Sequence, residues 1–440
     1  MAAITATGYW RHLQGKYTCE RKVLPRSVTV SKPGVVASAA FSRHLGKKFL
    51  LFLVSCAFCA AMFVVLDGMY SFFFRKSAYP TREELTGCKV QDAVRVYALR
   101  PNCSTIHAWG RGRYRLSVNS LGFRDQTVRQ VPLTAARPRI LMLGDSFTES
   151  KGEWSESYVA RLADKFPQYE FLDGGVDGYS PSTYLTTARR ALNTGLDFDE
   201  VVVFIDISDV QDEAALVHDI DSSGAVAFPD HYQNHKPTKY YKLRDWVMTH
   251  LVLTNYLWEF MERTAVRLGW YHLERVYNGN IFDLERSAWP YRKVDQKRLF
   301  SMGYAPLGVE RGIQKEFQKM DELREELAKR NIPISVVVYP WPAQLVHDSV
   351  DSRQVRIWRE WCEGRCRRFI TVFPAFFAAK AKCPSWEPGC WYVNNYILGD
   401  IHFNAAGNAM VAATVAKSLE AAPPMKHVPL VGPRVTQPSP

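Results

Sequence analysis

The chain has 440 residues, enough for one large or two ordinary domains, and its 47% hydrophobic and 23% charged residues allow a sizeable buried core. The formal charge of +12 is concentrated rather than spread. Residues 1–48 hold nine Lys/Arg against the single acid Glu20, which excludes a basic nucleic-acid-binding face on the remainder and points to a flank that orients a membrane segment.

That segment is the charge-free run 49–66. As a helix its 18 residues span about 27 Å, close to the ~30 Å hydrocarbon core of a bilayer. Lys47 and Lys48 mark its inner edge, and Tyr70 and Phe72-Phe73-Phe74 resemble an interfacial aromatic belt. The reading is a basic cytoplasmic tail (1–48), one transmembrane helix (49–66) and everything beyond it outside the cytoplasm, held at the inner membrane with the main domain in the periplasm. A cleaved signal peptide is the alternative; the run is longer than the usual ~7–15-residue apolar core and no clear small-x-small site follows it. Leu53-Val54-Ser55-Cys56 resembles a lipoprotein box, but too few apolar residues precede the cysteine.

Of the nine cysteines, Cys19 falls in the tail and Cys56 and Cys59 in the apolar run. Cys88, Cys103, Cys362, Cys366, Cys383 and Cys390 remain, an even number that fits disulfides in an oxidising compartment. The simplest pairing is local: 88–103, 362–366 and 383–390. Free thiols, or a four-cysteine zinc site from the last four, stay open.

Residues 67–136 read as a linker and a pre-domain element. From Ile140 onward strand and helix alternate, over 137–420. The β-rich runs are 139–143, 169–173, 200–206, 334–339 and 369–373; helical stretches fall at 154–166, 182–193, 311–329, 353–363 and from Asn404 to about Glu420. Runs such as Val201-Val202-Val203-Phe204-Ile205 suit a parallel sheet covered on both faces. The expected fold is therefore α/β, a three-layer sandwich around a five-stranded parallel sheet. Residues 214–310, rich in Trp, Tyr and His and amphipathic near 246–267, read as an insertion that caps or walls the site, or merely packs. The Pro-rich tail 421–440 reads as disordered.

Arg139-Ile140-Leu141-Met142-Leu143 runs into Gly144-Asp145-Ser146-Phe147, which delivers a serine onto a tight turn at the carboxyl end of the first parallel strand. Acyl chemistry needs such a nucleophile, a base to take its proton, and a group that holds the base in one tautomer. Asp400-Ile401-His402 supplies the other two: residues two apart on an extended backbone share a side, and Asn404 is a credible cap for the helix that follows. The developing oxyanion needs donors, for which the Ser146 N–H and the glycine-permitted backbone at Gly178 are the candidates.

In combination these blocks resemble the SGNH (GDSL-like) hydrolase superfamily, in particular its membrane-anchored bacterial members. Gly144-Asp145-Ser146 matches the block carrying the nucleophile. Gly175-Val176-Asp177-Gly178-Tyr179-Ser180 resembles the block of the oxyanion glycine, Asp206-Ile207-Ser208-Asp209 stands where Gly-x-Asn-Asp is usual, and Asp400-Ile401-His402 matches the last block. Val118 to Asp125 resembles an element that often precedes the serine. The resemblance implies a flavodoxin-like fold and ester hydrolysis or acyl transfer without a metal or other cofactor. Two departures stand out. Gly399 occupies the usual acid position, so the acid lies two residues before His402, a spacing similar to that of exopolysaccharide O-acetylation proteins. Ser208 replaces the oxyanion asparagine, and a lost donor of this kind can cost roughly 10²–10³ in rate.

The expected site is thus Ser146, His402 and Asp400 for catalysis, and Ser146, Gly178 and Ser208 for the oxyanion. Trp341 would stack on a sugar or simply pack; Arg124 would bind an acidic group or hold a buried ion pair. Asp209 reads as a brace for its loop, and Asp212 and Glu213 as a solvated helix start. The expected function is a membrane-anchored serine esterase or O-acyltransferase working on acylated glycans or lipids outside the cytoplasm, with envelope partner proteins left open. The alternative is a catalytically weak glycan-binding or scaffolding module of the cell envelope; a plain lipase is a third option.

Overall fold

The computed structural model describes residues 37–78, 87–92, 94–109, 112–216, 250–270, 286–291, 304–424 and 426. The tail before 37, most of the 214–310 insertion and nearly all of the tail after 424 lie outside the described residues, and with them the expectations placed there. The chain divides into two units, Met1–Val64 and Val65–Pro440.

In the first unit the described residues are helical and belong to α1 (Ala37–Ala78), whose last part falls in the second unit. Lys48–Phe74 is the one described stretch long and apolar enough to cross a membrane. It runs past Leu66, where the charge-free sequence ends, because Asp67 does not stop the helix: its carboxylate accepts from Ser71 Oγ one turn on, at 2.9 Å.

The second unit is built on one mixed sheet. Its five parallel strands are β6 (Arg139–Leu143), β7 (Glu170–Asp173), β8 (Glu200–Ile205), β9 (Ile334–Val338) and β10 (Arg368–Thr371). They lie in the order β10-β9-β8-β6-β7, so the chain reverses direction across the sheet at β6. The expectation of five strands is corrected to eight. Three antiparallel strands, β3 (Ser104–Trp109), β4 (Gly112–Val118) and β5 (Arg124–Asp125), extend the sheet beyond β7. Residues 104–125 therefore continue the sheet instead of standing before it. A separate hairpin, β1 (Lys89–Asp92) with β2 (Val96–Leu99), precedes them.

Alternation along the parallel strands sends side chains to two cores. Ile140, Met142, Val202 and Phe204 face one core, shared with α3 (Tyr158–Lys165), α10 (Cys390–Asn395) and α11 (Ala405–Ala421). Leu141, Leu143, Val201 and Val203 face the other, with α4 (Pro181–Asn193), α6 (Val309–Ala328) and α8 (Arg353–Cys362). All five parallel strands fall within two residues of the ranges read from sequence. The stretch at 154–166 splits, with a single tight turn at Trp154–Glu156 before α3. Short helices α2 (Ser146–Glu149), α7 (Pro342–His347) and α9 (Phe373–Ala381) follow β6, β9 and β10, and α5 (Val252–Arg267) falls inside the insertion.

The six cysteines beyond the apolar run pair locally, Cys88–Cys103, Cys362–Cys366 and Cys383–Cys390, which removes the four-cysteine zinc alternative. A cavity of about 530 Å³ lined by Leu192, Phe198 and Ile332 opens where β6, β8 and β9 begin, the end of the sheet away from Ser146.

Candidate active site

Ser146 is the first residue of α2, immediately past β6. Asp145 caps the helix, its Oδ1 accepting from Phe147 N at 2.9 Å and from the Tyr339 hydroxyl at 3.1 Å. The turn requires glycine at 144: a Cβ there would stand 1.9 Å from Thr148 Oγ1. Burial, and then the nearby Asp206 carboxylate, push Asp145 well above the ordinary carboxyl range. Ser146 is therefore held by a cap, a close-packed glycine and the short helix itself.

His402 and Asp400 lie on the loop between α10 and α11. Tyr396 and Phe403 form an isolated antiparallel bridge across this loop. Asn404 caps α11, accepting from Ala406 N at 2.9 Å and Gly407 N at 3.1 Å. The Tyr392 hydroxyl accepts from the N–H groups of Gly399 and Asp400, at 3.1 and 3.0 Å.

His402 Nε2 lies 2.7 Å from Ser146 Oγ, and His402 Nδ1 lies 2.7 Å from Asp400 Oδ1. With Nδ1–H donating to the carboxylate, Nε2 is left as an acceptor facing the serine hydroxyl. The imidazole packs against Phe147 at 4.7 Å and, edge-on, against Trp109 at 5.2 Å. Both Ser146 and His402 are buried. Asp400 Oδ1 also accepts from Ile401 N at 2.6 Å, and Oδ2 accepts from Trp109 Nε1. Burial opposes the charge on Asp400, but the facing His402 and the Trp109 N–H outweigh it and hold the carboxyl below its ordinary range. This geometry can draw the Ser146 proton onto His402 and stabilise the resulting imidazolium against a carboxylate that stays ionised.

Gly178 sits in the loop after β7 at φ +75°, a left-handed conformation that favours glycine. A Cβ at this position would also stand 2.3 Å from the Tyr97 hydroxyl. The loop is pinned to the serine turn by Gly174 N to Met142 O, 2.8 Å, and Val176 N to Gly144 O, 3.2 Å. Asp177 N donates to Glu149 Oε2 at 2.7 Å. Lys151, buried, lies 3.4 Å from both Glu149 and Asp177, with its ammonium over the Trp109 ring at 4.5 Å; Lys89 reaches Asp177 at 3.1 Å. Burial disfavours the charged form of Asp177, yet Lys151, Lys89 and His402 hold its carboxyl far below the ordinary range.

Arg124 is not open to a substrate: it is buried, stacked on Tyr114, and donates to the carbonyls of Glu149, Ser150 and Gly152, so it braces the exit from α2. Trp341 is also buried, donating from Nε1 to Asp206 Oδ2 at 2.7 Å and packing on Phe147, which leaves no face for a sugar. Ser208 donates its backbone N–H to Asp206 Oδ1 at 2.6 Å. Asp209 takes the bracing part read for it, accepting from Asp206 N and the Tyr184 hydroxyl. Asp212 and Glu213 are buried, not solvated. Asp212 pairs with Arg286 at 2.7 Å, and Glu213 accepts from Ser180 Oγ, Ser182 N and Ser182 Oγ, each at 2.7 Å.

The sequence reading missed Trp109, Lys151, Glu149 and Tyr97. The alternation of Ser104–Trp109 and Gly112–Val118 was the available signal for the hairpin that carries Trp109 to Asp400. Among the described residues no group of His, Cys, Asp and Glu side chains is arranged to hold a metal ion.

No family model matches this chain, and no curated protein matches it. Among solved structures it is similar to a GDSL-like lipase from Bacteroides thetaiotaomicron, at 11% identity and TM-score 0.31, over 66% of this chain and 93% of that one. It is also similar to a catalytic mutant of an acetylxylan esterase from Geobacillus stearothermophilus, at 11% identity and TM-score 0.33, over 66% and 96% of the two chains. A third is an alpha/beta hydrolase from the Lake Arreo metagenome, at 15% identity and TM-score 0.34, over 66% and 97%. At such scores the reading of the site rests on its own geometry.

Proposed function

We propose that the protein is an SGNH-type serine esterase or O-acyltransferase, anchored in the inner membrane by α1 and acting on acyl esters of glycans or lipids outside the cytoplasm. The observation that carries the reading is the continuous hydrogen-bonded line from Ser146 Oγ through His402 to Asp400, at 2.7 Å for each link. Ser146 attacks the acyl carbonyl, His402 takes its proton and returns it to the leaving alcohol, and Asp400 orients and stabilises His402. The N–H groups of Ser146 and Gly178 hold the oxyanion. Water or a sugar hydroxyl then releases the acyl group, giving hydrolysis or transfer. Support for the location comes from the one long apolar helix among the described residues, the basic residues before it and the three disulfides beyond it.

The test is labelling of the folded full-length protein by a fluorophosphonate, with p-nitrophenyl acetate turnover measured in parallel. Stoichiometric labelling at Ser146, lost together with turnover in Ser146→Ala, is expected. Turnover by Ser146→Ala at the wild-type rate overturns the assignment, and no labelling of folded wild type favours a glycan-binding or scaffolding module.

A further inference from the structure

Helix α5 carries an apolar face directed away from the body of the second unit. Tyr256, Leu257, Phe260 and Met261 recur at the spacing of a single helical face, and Phe260 and Tyr256 are 68% and 62% exposed. The opposite side, with Val252, Asn255 and Val266, is buried.

The start of α5 is tied to α1. Asp67 accepts from Leu253 N at 2.9 Å, from Thr254 N at 2.7 Å and from Thr254 Oγ1 at 2.5 Å, while Ser71 Oγ accepts from Val252 N at 2.9 Å. The free N–H groups of the first turn of α5 are thus met by a carboxylate inside the stretch Lys48–Phe74. Counted along a helix from Lys48, Asp67 stands about 28 Å on, at the far rim of a ~30 Å hydrocarbon layer. A carboxylate at that depth requires several donors, and α5 supplies them.

We infer that α5 lies along the outer surface of the bilayer, with Tyr256, Leu257, Phe260 and Met261 sunk into the lipid interface. The occupant of this face is lipid, because the helix begins at the rim where the membrane segment emerges. Its aromatic and aliphatic side matches an interfacial helix, and Glu259, Glu262 and Arg263 are only partly exposed on the rest of its surface. The far end of α5 is fixed to the catalytic block: Gly389 N donates to Arg267 O at 3.2 Å, and Arg267 donates to Asn394 Oδ1 at 3.0 Å on α10. A helix with one end at the membrane rim and the other against the segment that leads into Asp400 and His402 fixes the height of the site above the lipid.

This inference rests on the membrane-anchor reading, and the experiment separates the two. Full-length protein with Cys19, Cys56 and Cys59 replaced by Ser receives a nitroxide at Phe260→Cys, at Val54→Cys within the apolar stretch, or at Val128→Cys on the exposed body. Each is placed in phospholipid nanodiscs. Power saturation compares oxygen, which partitions into lipid, with a water-soluble nickel chelate. The label at 260 is expected to favour oxygen several-fold more than the label at 128, approaching the label at 54. A label at 260 that behaves like the one at 128, or that is shielded from both reagents by a protein surface, overturns the inference while leaving the anchor in place. A label at 54 that behaves like the one at 128 overturns both. Tyr256→Cys serves as the second site should the Phe260 variant fail to fold, and is read in the same way.

Discussion

The indole N–H of Trp109 donates to Oδ2 of Asp400, the carboxylate oxygen that His402 leaves free. The tip of an edge hairpin therefore completes the acid's hydrogen bonding, and its ring packs edge-on against the imidazole. Trp109→Phe keeps the ring and removes the donor. A hydrogen bond to a charged group contributes about 1.5–3 kcal/mol, so kcat is expected to fall roughly 10- to 100-fold. KM for a small acetyl ester stays near the wild-type value, because the indole N–H touches Asp400 and not the ester. A variant with wild-type kcat would show that Asp400 is held adequately without the indole.

Lys151 is buried between Glu149 and Asp177, and among the described residues Lys89 is the one further cation in contact with those acids. Lys151→Met leaves the buried Glu149, and beside it the partly exposed Asp177, under-compensated, and breaking a buried pair such as Lys151–Glu149 destabilises by roughly 3–5 kcal/mol. For a folded unit of this size that corresponds to a Tm lower by about 4–6 °C, measurable by thermal unfolding in detergent.

Glu316 lies on α6 with both carboxyl oxygens buried and without a hydrogen-bond partner among the described residues. Burial, together with Glu213, Asp212 and Asp206, raises it well above the ordinary glutamate range. The folded protein thus keeps a proton that the unfolded chain releases. The associated stability is fully present below the unfolded carboxyl pKa and is lost as pH rises toward the folded value. Glu316→Gln removes this loss, so the variant is expected to gain on wild type in Tm between about pH 5 and about pH 8. Parallel pH profiles for the two proteins would contradict it.

Cys383–Cys390 closes a seven-residue separation just ahead of the loop that carries Asp400 and His402. Replacing both cysteines by Ser is expected to cost about 2–3 kcal/mol of stability through the freed unfolded chain. It is also expected to lower turnover, since α10 begins at Cys390 and packs against the C-terminal part of α5. Thermal unfolding and p-nitrophenyl acetate turnover read the two effects separately.

The parallel strands could be read from sequence because strands buried on both faces are written as unbroken apolar runs, as in Val201–Ile205. The edge strands carry a weaker signal: Gly112–Val118 alternates polar and apolar residues, but Ser104-Thr105-Ile106-His107 opens with two polar residues, and neither forms the unbroken apolar run that marks parallel strands such as Val201–Ile205. Ser146 and the Asp400–His402 pair were readable because each depends on a short local turn. Trp109 was not, since 291 positions separate it from Asp400 and no local pattern records the contact. The substrate-facing readings of Arg124 and Trp341 and the solvated reading of Asp212 and Glu213 fail for one shared reason, while the alternative that Trp341 simply packs holds. Residue type suggests exposure, whereas burial is decided by what packs above: Arg124 finds three carbonyls, Trp341 a carboxylate, and Glu213 two serines.

Ser146 and His402 stand 256 positions apart, yet one hydrogen bond joins them. The chain is synthesised from the serine toward the histidine, so the proposed nucleophile is complete long before its proposed base exists. Until the α11 segment docks, Ser146 is an ordinary, weakly reactive alcohol. On the proposed mechanism, chemical competence therefore waits for the segment that carries His402 to dock, and a chain that stops short of it lacks the base for ester chemistry.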